Sequence, residues 1–351
     1  MTDAPQRLAP LAYTYSDELP HLFEALGISL VVTTYQAQRV LCLAATADGM
    51  MMTQRYFERP TGLAWREGEL AVGTRRMIWR FASTGALHTP NGGRLPHDLV
   101  LAPRRAHVTG DILTHDLDFV KGQLVAVNTR FSCLCTLTPE YSFVPIWRPP
   151  FITALAAEDR CHLNGLAADD SGPRYVTARG ISNVPQGWRQ TQFEGGIVMH
   201  VPTGEIVARG FVMPHSPRLH EGVLYLLDSG RGEMVRVDPT NGRFEPVVRL
   251  PGFLRGLSFH GRFAFVGQSK AREAREFGGT PLDDMRDRLR CAVSVIDLAM
   301  GAEVGRVEFT SGIEELFGVV VLAGARHPLL VGLQEDTVDG IFVMPGGSFE
   351  G

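Results

Sequence analysis

Residues 115–130 read HDLDFVKGQLVAVNTR. A short apolar run meets a polar turn at Lys121 and Gly122, and a second run, Leu124 to Asn128, stops abruptly at small polar residues. Its β-branched residues do not fit a helical period, so the stretch reads as a β-hairpin. The same pattern returns as TGLAWREGELAVGTR from Thr61, NGLAADDSGPRYVTARG from Asn164 and HSPRLHEGVLYLLDSG from His215. It continues as RGLSFHGRFAFVGQS from Arg255 and FGVVVLAGARHPLLVGL from Phe317. Successive starts lie 54, 49, 51, 40 and 62 residues apart, and strand-like runs such as MIWRFAS, CLCTLTP and GGIVMHVP follow the hairpins.

That period is what a four-stranded propeller blade requires. The expected fold is all-β: a single β-propeller of six four-stranded blades. Seven is the alternative, if Ser29–Tyr35 and Leu329–Leu333 each count as the second strand of a blade. The stretch from Gly27 to Phe57 reads as a blade lacking its innermost strand, which the C-terminal unit can supply by closing the ring. Two stretches break the pattern. Residues 16–26 have a capping-type start and helical spacing, which predicts a short helix before the ring. Residues 269–290 form a charged helical or loop insertion, read either as a solvated surface element or as a lid over one mouth. The domain reading is a tail and short helix over 1–27 and the propeller over 28–351.

Composition narrows the function. Among 351 residues, 34 Lys plus Arg stand against 38 Asp plus Glu, a net charge of −4 that lacks the attraction nucleic-acid binding needs. Neither a targeting segment nor a run approaching 18 apolar residues is found, so the expectation is a soluble, cytoplasmic protein with no membrane partner. Cys42, Cys133, Cys135, Cys161 and Cys291 lack the spacings of a zinc knuckle or a disulfide frame and read as small core residues. Nucleophile-elbow, phosphate-loop and His-Glu-x-x-His motifs are missing. So are the per-blade signatures of the common interaction propellers.

Six further segments carry a resemblance: VTTYQAQ (32–38), HDLDF (115–119), HLNGLA (162–167), MPHSPR (213–218), LDSGRGE (227–233) and VGQSKARE (266–273). Together they resemble a functionally unassigned bacterial family of propeller-like proteins of the quinoprotein amine dehydrogenase beta-chain type. The likeness runs over roughly residues 28 to 333. It implies a fold and no established activity, and no catalytic residue is carried over from it.

If the repeats are in register, the residues that open the innermost strands face the axis at one level. These are Thr61, His115, Asn164, His215, Arg255 and Phe317, with His162 two positions before Asn164. Histidines from three successive blades would then converge, and His115, His162 and His215 become candidate ligands of a divalent transition metal, Zn or Fe first. Asp116, Asp118, Glu314 and Glu315 are candidate catalytic carboxylates, to orient an imidazole or act as a base, and Arg255 is a candidate clamp for a substrate carboxylate. The remaining histidines read as structural or exposed.

The function expected on these grounds is a metal-dependent enzyme of lyase or hydrolase type. It would act on a small or peptide-like substrate at the mouth of the channel. The alternatives are a non-catalytic propeller that binds a protein or small ligand through its loop face, a hydrogen-bonded histidine plug in the channel, and a ligand sensor gated by residues 269–290.

Overall fold

The hairpin at 115–130 forms as Thr114–Val120 and Gln123–Asn128, paired antiparallel around Lys121 and Gly122. Both turn residues have positive φ, 49° and 81°, the twist that a tight two-residue hairpin demands. Cys133–Thr138 and Tyr141–Trp147 add two more strands, completing a four-stranded blade. The chain is seen here in a computed structural model that describes residues 10–83, 97–191, 193–270, 280–333, 338–339 and 341.

Six such sheets stand in a ring, a six-bladed β-propeller. Numbered from the N-terminus, blade 2 runs from Leu63 to Val108, blade 3 from Thr114 to Trp147, blade 4 from Leu163 to Phe211, blade 5 from Pro214 to Arg249 and blade 6 from Phe253 to Ser311. Blade 1 is closed as the sequence predicts. Its inner strand, Val319–Ala323, comes from the C-terminal region and pairs antiparallel with Ile28–Val32, beside Arg39–Thr46 and Gly49–Tyr56.

The six-blade reading holds and the seven-blade alternative falls. Ser29 to Thr34 do lie in the second strand of blade 1, but Leu329 and Leu330 belong to a short strand, Pro328–Leu330, that runs parallel to Leu99–Leu101 on the outer edge of blade 2. At the N-terminus, Ala12–Tyr15 likewise covers the outer strand of blade 6. Both outer additions shield sheet edges that would otherwise be open.

The core is divided into radial wedges, one between each pair of neighbouring blades. Val31, Val40 and Cys42 meet Leu63, Leu70 and Phe81 between blades 1 and 2. Val127 and Leu134 meet Leu163 and Val176 between blades 3 and 4. Each fully buried side chain of this size contributes about 1.5–3 kcal/mol, so the wedges hold neighbouring blades together. All five cysteines are buried and free, as the core reading expects; burial pushes Cys133 and Cys161 up to about 12 and Cys42 to about 11.

The helix spans Leu19–Leu26 and ends at Gly27, whose φ is 64°. Leu19 and Phe23, one turn apart, are buried in the wedge between blades 6 and 1. No side chain caps its N-terminus; the Ser16 hydroxyl accepts instead from Arg306 N at 3.1 Å. Within the 269–290 insertion, a short 3-10 turn over Asp283–Arg288 buries Leu282 and Met285 against Val212, Met213 and Phe253. Of the 269–290 segment, read as a surface element or a lid, residues 271–279 lie outside the described residues, as does His88.

Candidate functional site

Each inner strand is entered through positions that stack as three tiers along the axis. The middle tier holds Thr61, His115, Asn164, His215, Arg255 and Phe317, in the register the repeats predict. Two positions earlier lies an upper tier that includes Leu113, His162, Met213 and Glu315, all lining one cavity. Below is a tier of small or charged residues: Gly62, Asp116, Gly165, Ser216, Gly256 and Gly318. Small size is enforced at this waist. A Cβ on Gly165 would drive into the Pro217 ring and Thr177 Oγ1, and one on Gly256 would meet Val319 N at 2.8 Å.

His162 is therefore an upper-tier residue, out of register with the other two histidines. It has φ 52°, like Leu113 (52°) and Met213 (55°) at the equivalent positions of blades 3 and 5. The left-handed turn serves a purpose there, because it aims a carbonyl at the histidine two residues on. His115 Nδ1 lies 3.1 Å from Leu113 O and 2.7 Å from Thr129 Oγ1, whose own hydroxyl proton goes to Leu163 O. His215 Nδ1 lies 2.8 Å from Met213 O. In blade 4 a carboxylate takes this role: His162 Nδ1 is 2.9 Å from Asp159 Oδ2, which also accepts from Trp188 Nε1 at 3.1 Å. Acceptors on all three Nδ1 atoms assign the proton to Nδ1 and leave a lone pair on each Nε2.

The rings converge. His115 lies 4.8 Å from His162, edge to face, and 6.3 Å from His215, centroid to centroid. Arg255 Nη2 donates to His215 Nε2 at 3.0 Å, and its guanidinium sits 4.4 Å above the Phe317 ring. Across the cavity Trp188 packs 4.5 Å from His162 and carries the guanidinium groups of Arg179 and Arg189 at 4.2 and 4.5 Å. The cavity encloses about 660 Å³, the size of a small-molecule site.

Charge in this cavity is lopsided. Arg130, Arg179, Arg189, Arg255 and Lys270 face Glu158, Asp159 and Glu315, an excess of two positive charges. Burial, and then Arg179, Arg255 and Arg189, hold His162 well below the usual imidazole range. His215 is lowered by burial and then Arg255, and His115 by burial and then His162. All three imidazoles are neutral at pH 7. Burial pushes Asp159 up to about 6 and pulls Arg255 down to about 10.

The candidate residues separate accordingly. His115, His162, His215, Arg255 and Glu315 line the cavity, with Glu315 Oε1 3.5 Å from Arg255 Nη1. Glu314, its neighbour on an irregular stretch, is exposed and lines no part of the cavity. Asp116 sits in the tier below and is held by Arg218 Nη1 and Nη2 at 2.8 and 2.9 Å. Asp118 lies farther along the same strand, outside the cavity, pushed up to about 6 by burial against the pull of Arg218. Among the described residues, no cluster of three or more His, Cys, Asp or Glu side chains is spaced to hold a metal ion.

Asp159, Trp188 and Arg189 escape repeat-based reading because they come from the connections around blade 4, which no other blade copies; Arg179 directly follows the second strand, as Arg130 closes the quoted repeat in blade 3, and the repeat could have offered it. Their signal was compositional: residues 179–195 hold a Trp between Gly and Arg in a connection longer than a blade needs. No helix among the described residues is long and apolar enough to cross a membrane.

Comparisons bear on the fold and the family. A chain of the nidogen/laminin complex is similar at TM-score 0.53 with 10% identity, over 85% of this chain and 99% of that one. A protein of unknown function from Bacteroides caccae aligns at TM-score 0.49 and 11% identity, over 84% and 98% of the two chains. The computationally designed Ika8 protein aligns at TM-score 0.37 and 13% identity, over 82% and 78%. At such identities the first likeness speaks to the fold alone. Among curated proteins no sequence matches. The family model described as Domain of unknown function (DUF4915) matches residues 17–331, nearly the whole ring, and the chain belongs to that family.

Proposed function

We propose that this chain is an enzyme of lyase or hydrolase type that acts on a small organic anion in the cavity, with His162 as the group that moves the proton. The observation that carries the reading is the Asp159 carboxylate on Nδ1 of a neutral His162, in a cavity with an excess of positive charge. Asp159 fixes the tautomer and stabilises the imidazolium that forms when Nε2 takes a proton, from water or from a carbon next to an acid group. Arg255 or Arg179 binds the acid group and stabilises negative charge that develops on it. The same guanidinium groups favour the neutral imidazole at rest, which keeps it a competent base at pH 7.

A divalent ion on His115, His162 and His215, Zn or Fe, is a second reading, favoured by the acceptor on every Nδ1, the arrangement common behind metal-bound histidine. The fit is incomplete as the residues stand. Arg255 occupies Nε2 of His215, and the surrounding guanidinium groups oppose a cation. Stoichiometric metal in protein purified without nickel resin, lost in His115→Ala plus His215→Ala, would establish that reading over the first. The likeness to quinoprotein amine dehydrogenase beta chains is kept for architecture only, and the cytoplasm is proposed as the compartment because five buried free thiols suit a reducing one.

The test is consumption of substrate. Purified protein and its His162→Ala variant are incubated with a mixture of small organic acids and phosphates, followed by mass spectrometry. A compound consumed by the wild type alone supports the proposal. Equal profiles for the two proteins overturn catalysis and leave a site that binds without reaction.

A further inference from the structure

Positive charge reaches the cavity from two separate blades. Blade 4 and the turn that follows its second strand supply Arg179 and Arg189, both held over Trp188. Blade 6 supplies Arg255 from its inner strand and Lys270 from the end of its second. Blade 5 stands between them and contributes His215 and Ser229 to the wall. A ligand with one acid group satisfies one of these poles and leaves the other.

We infer that the ligand carries two acid groups on an organic body, one bound by Arg179 and Arg189 and the other by Arg255 and Lys270, with the histidines between. This rests on reading the cavity as a site for a small anion and goes further by naming its class. Two observations support it. The cavity lining has two positive charges more than negative ones, the amount that a dianion neutralises. The faces of Trp188 and Phe317, which underlie the two poles, suit an apolar middle section.

Each acid group is a carboxylate or a phosphate, and the experiment separates the two. Straight-chain dicarboxylates from succinate to suberate, monocarboxylates of matched length, 2-phosphoglycolate and inorganic phosphate are titrated calorimetrically into the full-length protein. The expected result is a diacid bound about tenfold or more tighter than its monoacid, the gain from a second charged hydrogen-bonded contact. Preference for 2-phosphoglycolate over all dicarboxylates assigns one end to phosphate. Arg189→Ala and Lys270→Ala, at exposed and half-buried positions, each reduce the diacid to monoacid affinity. Monoacids binding as tightly as diacids at every length overturn the inference and leave the proposed function standing. No binding by any acid overturns both.

Discussion

Arg218 of blade 5 grips the carboxylate of Asp116 of blade 3 with two hydrogen bonds, 2.8 and 2.9 Å, across 102 residues of sequence. Between them runs Leu166 of blade 4, whose N donates to Asp116 Oδ2 at 3.1 Å and whose O accepts from Arg218 Nη1 at 2.9 Å. Three blades are thus tied at the waist of the channel, under the cavity. A space of about 10 Å³, the size of one water, adjoins the pair.

Asp116→Ala should destabilise the fold by about 3 kcal/mol, because it strands a largely buried guanidinium and the amide of Leu166. Arg218→Met added to it should recover part of that loss. Urea unfolding of the three proteins checks both statements. Equal stability of Asp116→Ala and wild type would remove the pair from any role in holding the ring.

If His162 moves the proton as proposed, Asp159→Ala should lower turnover by about 100-fold or more while the apparent affinity for substrate changes little. Nitrogen NMR of the imidazole supplies a readout free of substrate. The proton on Nδ1 of the wild type should redistribute to Nε2 once its acceptor is gone. An unchanged tautomer would show that the backbone, and not Asp159, orients the ring.

Acid should weaken the fold through its histidines. His115 titrates below its ordinary value in the folded chain, chiefly because it is buried, so unfolding takes up a proton once the pH drops under about 6.5. That stabilising contribution is complete above the ordinary value and drains away as pH falls. Asp159 works oppositely: raised to about 6, its contribution is complete at acid pH and is lost as pH rises through that value. Comparing wild type with His115→Leu separates the two. Relative to wild type, the variant should gain up to about 1.4 kcal/mol for each pH unit of acidification below 6.5, read from urea melts.

Gly165→Ala should cost about 1–3 kcal/mol, since its Cβ would collide with the Pro217 ring of the next blade. Gly122→Ala faces no neighbour within 4 Å and should cost less, through its φ of 81° alone. Thermal unfolding distinguishes the pair. Similar losses would mean that the close approach at the waist is readily relaxed.

Thiol titration offers a simple check on the core. None of the five cysteines should react promptly with an aromatic disulfide reagent in the native protein, because they are buried and burial pushes their thiols upward. All five should react in denaturant. A fast-reacting native thiol would contradict the packing between blades.

Repeat register made much of this legible in sequence. His115 and His215 open equivalent strands, and equivalent strands bring their first side chains to one level, so their convergence with Arg255 follows from counting. Asp116 and Asp118 were close in sequence yet fell elsewhere. One position along an inner strand moves a side chain to the next tier and three carry it beyond, and charge type alone says nothing of tier. Glu314 and Glu315 could not be separated before the fold, because they lie in an irregular segment where alternation has no fixed phase. Asp159 and Trp188 sit in connections unique to blade 4, where no second copy exists to compare. The edge strand Pro328–Leu330 matched the hairpin pattern but pairs parallel, a choice made by distant Leu99–Leu101.

Blade 1 takes three strands from residues 28–56 and its fourth from 319–323. On the ribosome, residues 57–318 are therefore synthesised between the first part of that sheet and its completion. Throughout that interval Ile28–Thr34 presents an unpaired apolar border that invites pairing with other chains. Ring closure becomes a late long-range event, with a high contact order and slow kinetics. Crowded expression should expose this weakness first, as aggregation of nascent chains and not as instability of the finished protein.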